Sequence, residues 1–215
     1  MTIRFLLYLI LLVYLFVLGL IRFRKLTLPF QILTVLIGCT LVSEIISRIL
    51  INIFKNSSPV YHVFNIVNFT GYALIYYFLL QSRLSRKIIL LLIAGAVCFS
   101  VFNTVFLQSL WSFPSNFLLI LCFLNIYCSL LLFRQMLHDN EDIDILRQSV
   151  FWFNCAVLLF YTAIFLNWSF YNYLVRNKLN TRTISTIMYY LNIAYYIIVG
   201  VSIHINNRKA VPVKR

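Results

Sequence analysis

The chain has 215 residues, 62% of them hydrophobic and only 11% charged, where a soluble domain carries about 25% charged residues. Apolar stretches of about 20 residues, enough to cross a hydrocarbon core of about 30 Å, fill nearly the whole length and leave no segment able to bury a soluble core. Eighteen Lys and Arg against five Asp and Glu give a net charge of +13, but the basic residues form short clusters between apolar runs, which fits membrane orientation and anionic lipid head groups rather than nucleic acid.

The expected fold class is therefore all-α: a single polytopic transmembrane domain over 1–215, with about seven helices and no attached catalytic or DNA-binding domain. The first helix spans about 3–22. It lacks an A-x-A-like cleavage site and runs straight into Arg22-Phe23-Arg24-Lys25, so it reads as a retained helix and not a removed signal. The second spans about 29–54, with Thr27 near its start and Pro29 in its first turn. A short connection leads to the third, about 59–82, with Ser58 as N-cap before Pro59. The fourth covers about 87–108, and Trp111 to Ser115 form an interfacial turn. The fifth covers about 116–137. An acidic stretch, His138 to Asp144, precedes the sixth at about 145–174, where negative charge favours the helix N-terminus. The seventh covers about 183–205 and ends in a basic tail.

Counting Lys and Arg sets the expected orientation. With the N-terminus outside, cytoplasmic segments hold twelve basic residues and outer segments five, so the reading is N-out and C-in, in a bacterial inner membrane. The loop 176–182 runs against the trend with three basic residues outside.

Polar groups inside the membrane are costly unless satisfied, so they carry the functional information. The second helix places Thr40, Glu44, Ser47 and Arg48 on one face, and the spacing of Glu44 and Arg48 permits an intrahelical ion pair. Such a pair is either a packing device or a ligand anchor or protonation switch. The third helix carries Tyr61, Asn65, Asn68, Tyr72 and Tyr76 on one face, with His62 beside them. The second and third helices must run antiparallel. Residues whose numbers sum to about 113 then share a depth, which sets Arg48 near Asn65 and Glu44 near Asn68. The sixth helix adds Asn154, Tyr161 and Asn167, and the seventh Ser185, Tyr189, Asn192 and Tyr196. Glu44, Arg48, Tyr61, His62, Asn65, Asn68 and Asn154 are the candidate ligand-binding or switch residues.

No catalytic motif stands out. HExxH and GxSxG are absent, and there is no second intramembrane acid to pair with Glu44. The cysteines Cys39, Cys98, Cys122, Cys128 and Cys155 lie in apolar runs without metal-ligand spacing, so neither a disulfide nor a metal site is expected. His62 and His204 sit at opposite depths, which argues against a shared haem, and the seventh helix has no lysine for a retinal Schiff base. No cofactor is expected.

The runs SEIIS at 43–47, SSPVYHVFN at 57–65, FWFNCAVLLFYT at 151–162 and MYYLNIAYYIIVG at 188–200 resemble small seven-helix proteins of Bacteroidota bacteria. Glu44, Tyr61, His62, Asn65 and Asn154 lie at the positions that carry the likeness. The resemblance implies a signalling context, since such proteins are often encoded beside sensor histidine kinases, but it supplies no ligand. The expected function is a membrane-embedded sensory or signalling module with a polar pocket in the outer half of the bundle and a partner such as a sensor kinase. The alternatives are a small transporter or channel component that uses Glu44 as an ion or proton site, and a lipid-acting membrane enzyme with His62 as acid/base.

Overall fold

The computed structural model describes residues 3–139, 145–177, 180 and 182–206. The acidic loop 140–144, most of the loop 178–181 and the basic tail 207–215 lie outside them. The described residues form seven α-helices: α1 (Ile3–Arg22), α2 (Leu28–Phe54), α3 (Ser58–Leu79), α4 (Arg83–Phe102), α5 (Ser115–Asp139), α6 (Ser149–Arg176) and α7 (Arg182–Ile205). Six spans are long and apolar enough to cross a membrane. The chain is an all-α, multi-pass membrane bundle. α3 falls short on hydropathy alone, because His62, Asn65, Asn68 and its tyrosines dilute its apolar residues.

The helix ends differ from the sequence reading where side chains compete for backbone groups. Ser58 is the first residue of α3 and Ser57 its N-cap, without a side-chain bond; Asn56 Oδ1, one residue earlier, accepts from the Ser58 amide at 2.8 Å. α3 stops at Leu79, and Gln135 and Arg86 take up the carbonyls of Leu79 and Leu80 at 3.3 and 2.7 Å. The chain then turns at once into α4, whose N-cap is Ser82. α4 ends in a single π-turn, Asn103–Leu107, with the Gln108 amide on the Asn103 carbonyl at 2.7 Å. α6 begins at Ser149 because Ile145–Arg147 is a separate 3₁₀ turn, bridged by the Trp152 indole donating to the Leu146 carbonyl at 2.8 Å.

α1, α2, α3, α5, α6 and α7 pack in sequence around a closed ring in which α7 meets α1, and α4 lies outside against α3 and α5. α3 is the centre of the arrangement. It packs on α2, α4 and α5, and its side chains bond to α6 and α7. Close approach between helices is enforced by glycines: a Cβ on Gly71 would stand 2.3 Å from the Leu36 side chain, and one on Gly19 would stand 2.5 Å from Thr34. The core between the helices is apolar and aromatic, with Phe30, Phe69, Phe117 and Phe153 fully enclosed. Large apolar side chains cover the outer surface, as a bilayer solvent demands.

Two polar knots hold the ring. At mid-depth, buried Asn154 of α6 donates to the Ser129 carbonyl at 3.0 Å, and its Oδ1 accepts from Ser129 at 2.9 Å and Tyr76 at 3.0 Å. One amide thereby ties α3, α5 and α6. At the end where α1 finishes, Asn206 closes the ring. Its Oδ1 accepts from the Thr27 amide at 3.0 Å, and its Nδ2 donates to Ser149 Oγ at 2.8 Å. Arg22 donates to the carbonyls of His204 and Asn206.

Asn154→Ala removes three cross-helix bonds and strands Tyr76 and Ser129 in an apolar setting. A buried group left unpaired costs about 1–3 kcal/mol, whereas the average interhelical bond in a membrane is worth about 0.6 kcal/mol. The expected loss is therefore about 2 kcal/mol, measured by unfolding in mixed micelles, while Asn177→Ala, on an exposed helix end, leaves stability unchanged.

Candidate functional site

A cavity of about 260 Å³ lies in the half of the bundle where α1 begins. Every helix except α4 contributes to its wall. α1 supplies Tyr8, α2 supplies Thr40 and Glu44, and α3 supplies Tyr61, Asn65, Asn68 and Tyr72. Asn125 comes from α5, Tyr161 and Trp168 from α6, and Asn192, Tyr195 and Tyr196 from α7. The helical repeat explains the clustering: Tyr61, Asn65, Asn68 and Tyr72 follow three- and four-residue steps, so one stripe of α3 faces the cavity over most of its depth.

Two hydrogen bonds between helices cross the wall, among aromatic and apolar side chains. Tyr161 donates to Asn68 Oδ1 at 3.1 Å, and the hydroxyls of Tyr72 and Tyr195 bond to each other. Thr40 donates back to the Leu36 carbonyl at 2.9 Å. Rings fill the gaps: Phe160 stacks on Tyr195 at 4.3 Å, Phe113 stacks on Trp168 at 4.4 Å, and Tyr8 meets Tyr196 at 5.8 Å. Two amide atoms in the wall have no protein partner: Asn65 Nδ2 and Asn125 Oδ1. Glu44, half-buried, turns its carboxylate towards the Tyr8 hydroxyl.

The expected Glu44–Arg48 ion pair does not form. No charge pair between the two closes within 4 Å; Arg48 lies on the outer surface of α2 with its guanidinium 3.8 Å from the centre of the Phe5 ring. The physical reason is competition: a cation–π contact with α1, desolvated by its lipid-facing setting, lets the long side chain stay at the periphery. The shorter Glu44, one turn earlier on α2, points inward. Arg48 is thus outside the cavity wall.

Of the other expected residues, Tyr61, Asn65 and Asn68 line the cavity, whereas His62 and Asn154 do not. His62 is buried on the opposite side of α3, facing α4. Its Nδ1 lies 2.9 Å from Thr104 Oγ1 in the π-turn and its Nε2 3.0 Å from the Ser112 carbonyl. A carbonyl only accepts, so Nε2 carries a proton. With both nitrogens engaged, His62 works as a clamp between α3 and the α4–α5 connection. Asn154 sits deeper, in the knot described above. The sequence reading passed over Tyr8, Asn125, Trp168 and Tyr195. Asn125 had a legible signal, as a lone amide in the apolar run of α5; the aromatic residues did not differ from packing residues.

A larger cleft of about 890 Å³ between α1, α2 and α3 is lined almost wholly by apolar side chains such as Phe16, Val42 and Val63. It has the character of a lipid-filled groove and holds no converging polar groups, so the smaller polar cavity is the candidate site. No group of three metal-ligating side chains comes together among the described residues. The five cysteines are free thiols. No family model matches the chain, and neither a curated protein nor a solved structure is significantly similar to it.

Two outcomes follow from this placement. Glu44→Gln and Arg48→Met should act independently, their effects on stability adding to within about 0.5 kcal/mol in the double variant, because a buried pair would instead couple strongly when one partner is removed. His62→Ala should loosen the α4 end, seen as faster hydrogen exchange over 103–112, while exchange in α7 around Tyr195 stays unchanged.

Proposed function

We propose that this chain is a sensory or signalling module of the bacterial inner membrane, oriented N-out and C-in, whose cavity in the outer half receives a small ligand. The observation that supports this most is that the cavity wall is shared by six helices and has buried amide atoms without protein partners. A ligand that completes those bonds favours the packing it fits best, and helices that share the wall move together when it binds. The signal then leaves through the opposite end, where Arg22 and Asn206 join α1, α2, α6 and α7, and where Arg24 and Lys25 are exposed for an acidic surface of a partner such as a sensor kinase. His62, with both ring nitrogens occupied, has no free nitrogen for acid/base work on a lipid.

Transport is the second reading, favoured by one observation: Glu44 faces the cavity without an ion-pair partner, as an ion- or proton-carrying carboxylate would. Parallel assays separate the two. For sensing, filling the cavity with Asn125→Phe changes the transcript profile of the host strain, and proteoliposomes of the wild-type chain carry no proton or monovalent-cation flux. A flux that disappears in Glu44→Gln establishes transport and overturns the sensory reading.

A further inference from the structure

We infer that the cavity is built for a small organic cation, a protonated amine on a compact apolar or aromatic body. This rests on the reading of the cavity as a ligand site and adds the ligand's chemistry.

Among the described residues, Glu44 is the only Asp, Glu, Lys, Arg or His in the wall. Arg48, one turn on along α2, is turned to the outer surface and lies against Phe5, so the described wall carries a single formal charge, and it is negative. A half-buried carboxylate that faces one tyrosine hydroxyl is still costly unless it is neutralised or bonded further. A ligand ammonium placed there forms a charge-assisted bond, which is shorter and stronger than a neutral one. An anionic ligand would meet Glu44 in the wall itself, where no described cation lines the space.

The second observation is independent of Glu44. Asn125 is 1% exposed and Asn65 7% exposed; both line the cavity, and Asn125 Oδ1 and Asn65 Nδ2 have no partner in the protein. Asn125 Nδ2 is already committed to the Leu121 carbonyl at 2.9 Å, which fixes its free atom as an acceptor. The cavity therefore offers a carboxylate and a carbonyl oxygen to N–H donors, and the Asn65 amide NH2 to an acceptor on the ligand.

The third is the aromatic content. Tyr8, Tyr196, Phe160 and Trp168 all border the space. The faces of such rings are negative and attract a cation once water is gone. The same rings give a flat body something to stack on. At about 260 Å³ the space lies below the usual range for drug-sized ligands, which limits the body to about one ring with a short chain.

Three probes of matched size test this on the wild-type chain in a neutral detergent: phenethylammonium, 2-phenylethanol and phenylacetate. Calorimetry should show saturable binding of phenethylammonium, tighter than the alcohol by about tenfold or more, in line with the gain from a charged hydrogen bond, and no binding of phenylacetate. Glu44→Gln should bring the amine down to the alcohol's level, while Arg48→Met leaves it bound. Because the ranking of probes is read on the unaltered protein, it stands even where a variant fails to fold. Phenylacetate or the alcohol binding as well as the amine overturns the cation inference; if that binding is lost in Asn125→Phe, the cavity remains a ligand site of another class. Binding of none of the three also overturns it. The ligand-site reading falls separately, when Asn125→Phe folds and leaves the transcript profile of the host unchanged.

Discussion

Hydrocarbon offers a polar side chain nothing to bond with, and α3 carries more polar side chains than any lipid-facing helix could bear. That requirement organises the bundle. Four polar residues of α3 draw in different neighbours: His62 holds the π-turn after α4 and the turn before α5, Asn68 receives Tyr161 of α6, Tyr72 meets Tyr195 of α7, and Tyr76 joins the Asn154 knot. A helix with a polar stripe and a buried histidine beside it is placed where several neighbours can meet those groups, while Val63, Val67 and Phe78 stay on the outer surface. The other helices then turn their apolar faces outward, and α4, the most apolar face available on that side, completes the cover.

The cavity is what remains where this satisfaction is incomplete. Near the Asn154 knot, geometry closes every bond. In the half where α1 begins, large rings hold the helices apart, and Asn65 and Asn125 keep unused bonding capacity. Structures tolerate such capacity where water or a ligand supplies the missing partner. Glu44 belongs to the same region, and its inward turn is made available by Arg48 leaving for Phe5.

The two ends of the bundle differ in construction. The end with Asn206 is stitched by bonds among α1, the start of α2, α6 and α7. The opposite end joins rings, Phe113 stacked on Trp168 and Phe54 near Trp111, to directed bonds, His62 to Thr104 and the Ser112 carbonyl and Asn56 to the Trp111 carbonyl at 2.6 Å.

Much of the fold was legible in the residues. Unbroken apolar length separated by short basic or proline-marked turns dictates a multi-helix membrane bundle, because no other element satisfies its own backbone in lipid. Helical spacing also showed which residues of α3 share a face, and the short connection after α2 gave the depth match between Glu44 and Asn68. Spacing could not show which of two compatible partners a side chain takes. Arg48 was within reach of Glu44 along α2, yet it chose a ring on α1, a residue more than forty positions away that only packing brings near. His62 and Asn154 carried the same polar signal as Asn65, but tertiary contacts engaged the first two fully and left the third with a free N–H. Sequence determined which groups had to be buried; the packing of distant helices decided which of them were satisfied there, since a hydrogen bond depends on distance and angle between atoms that the chain order does not relate.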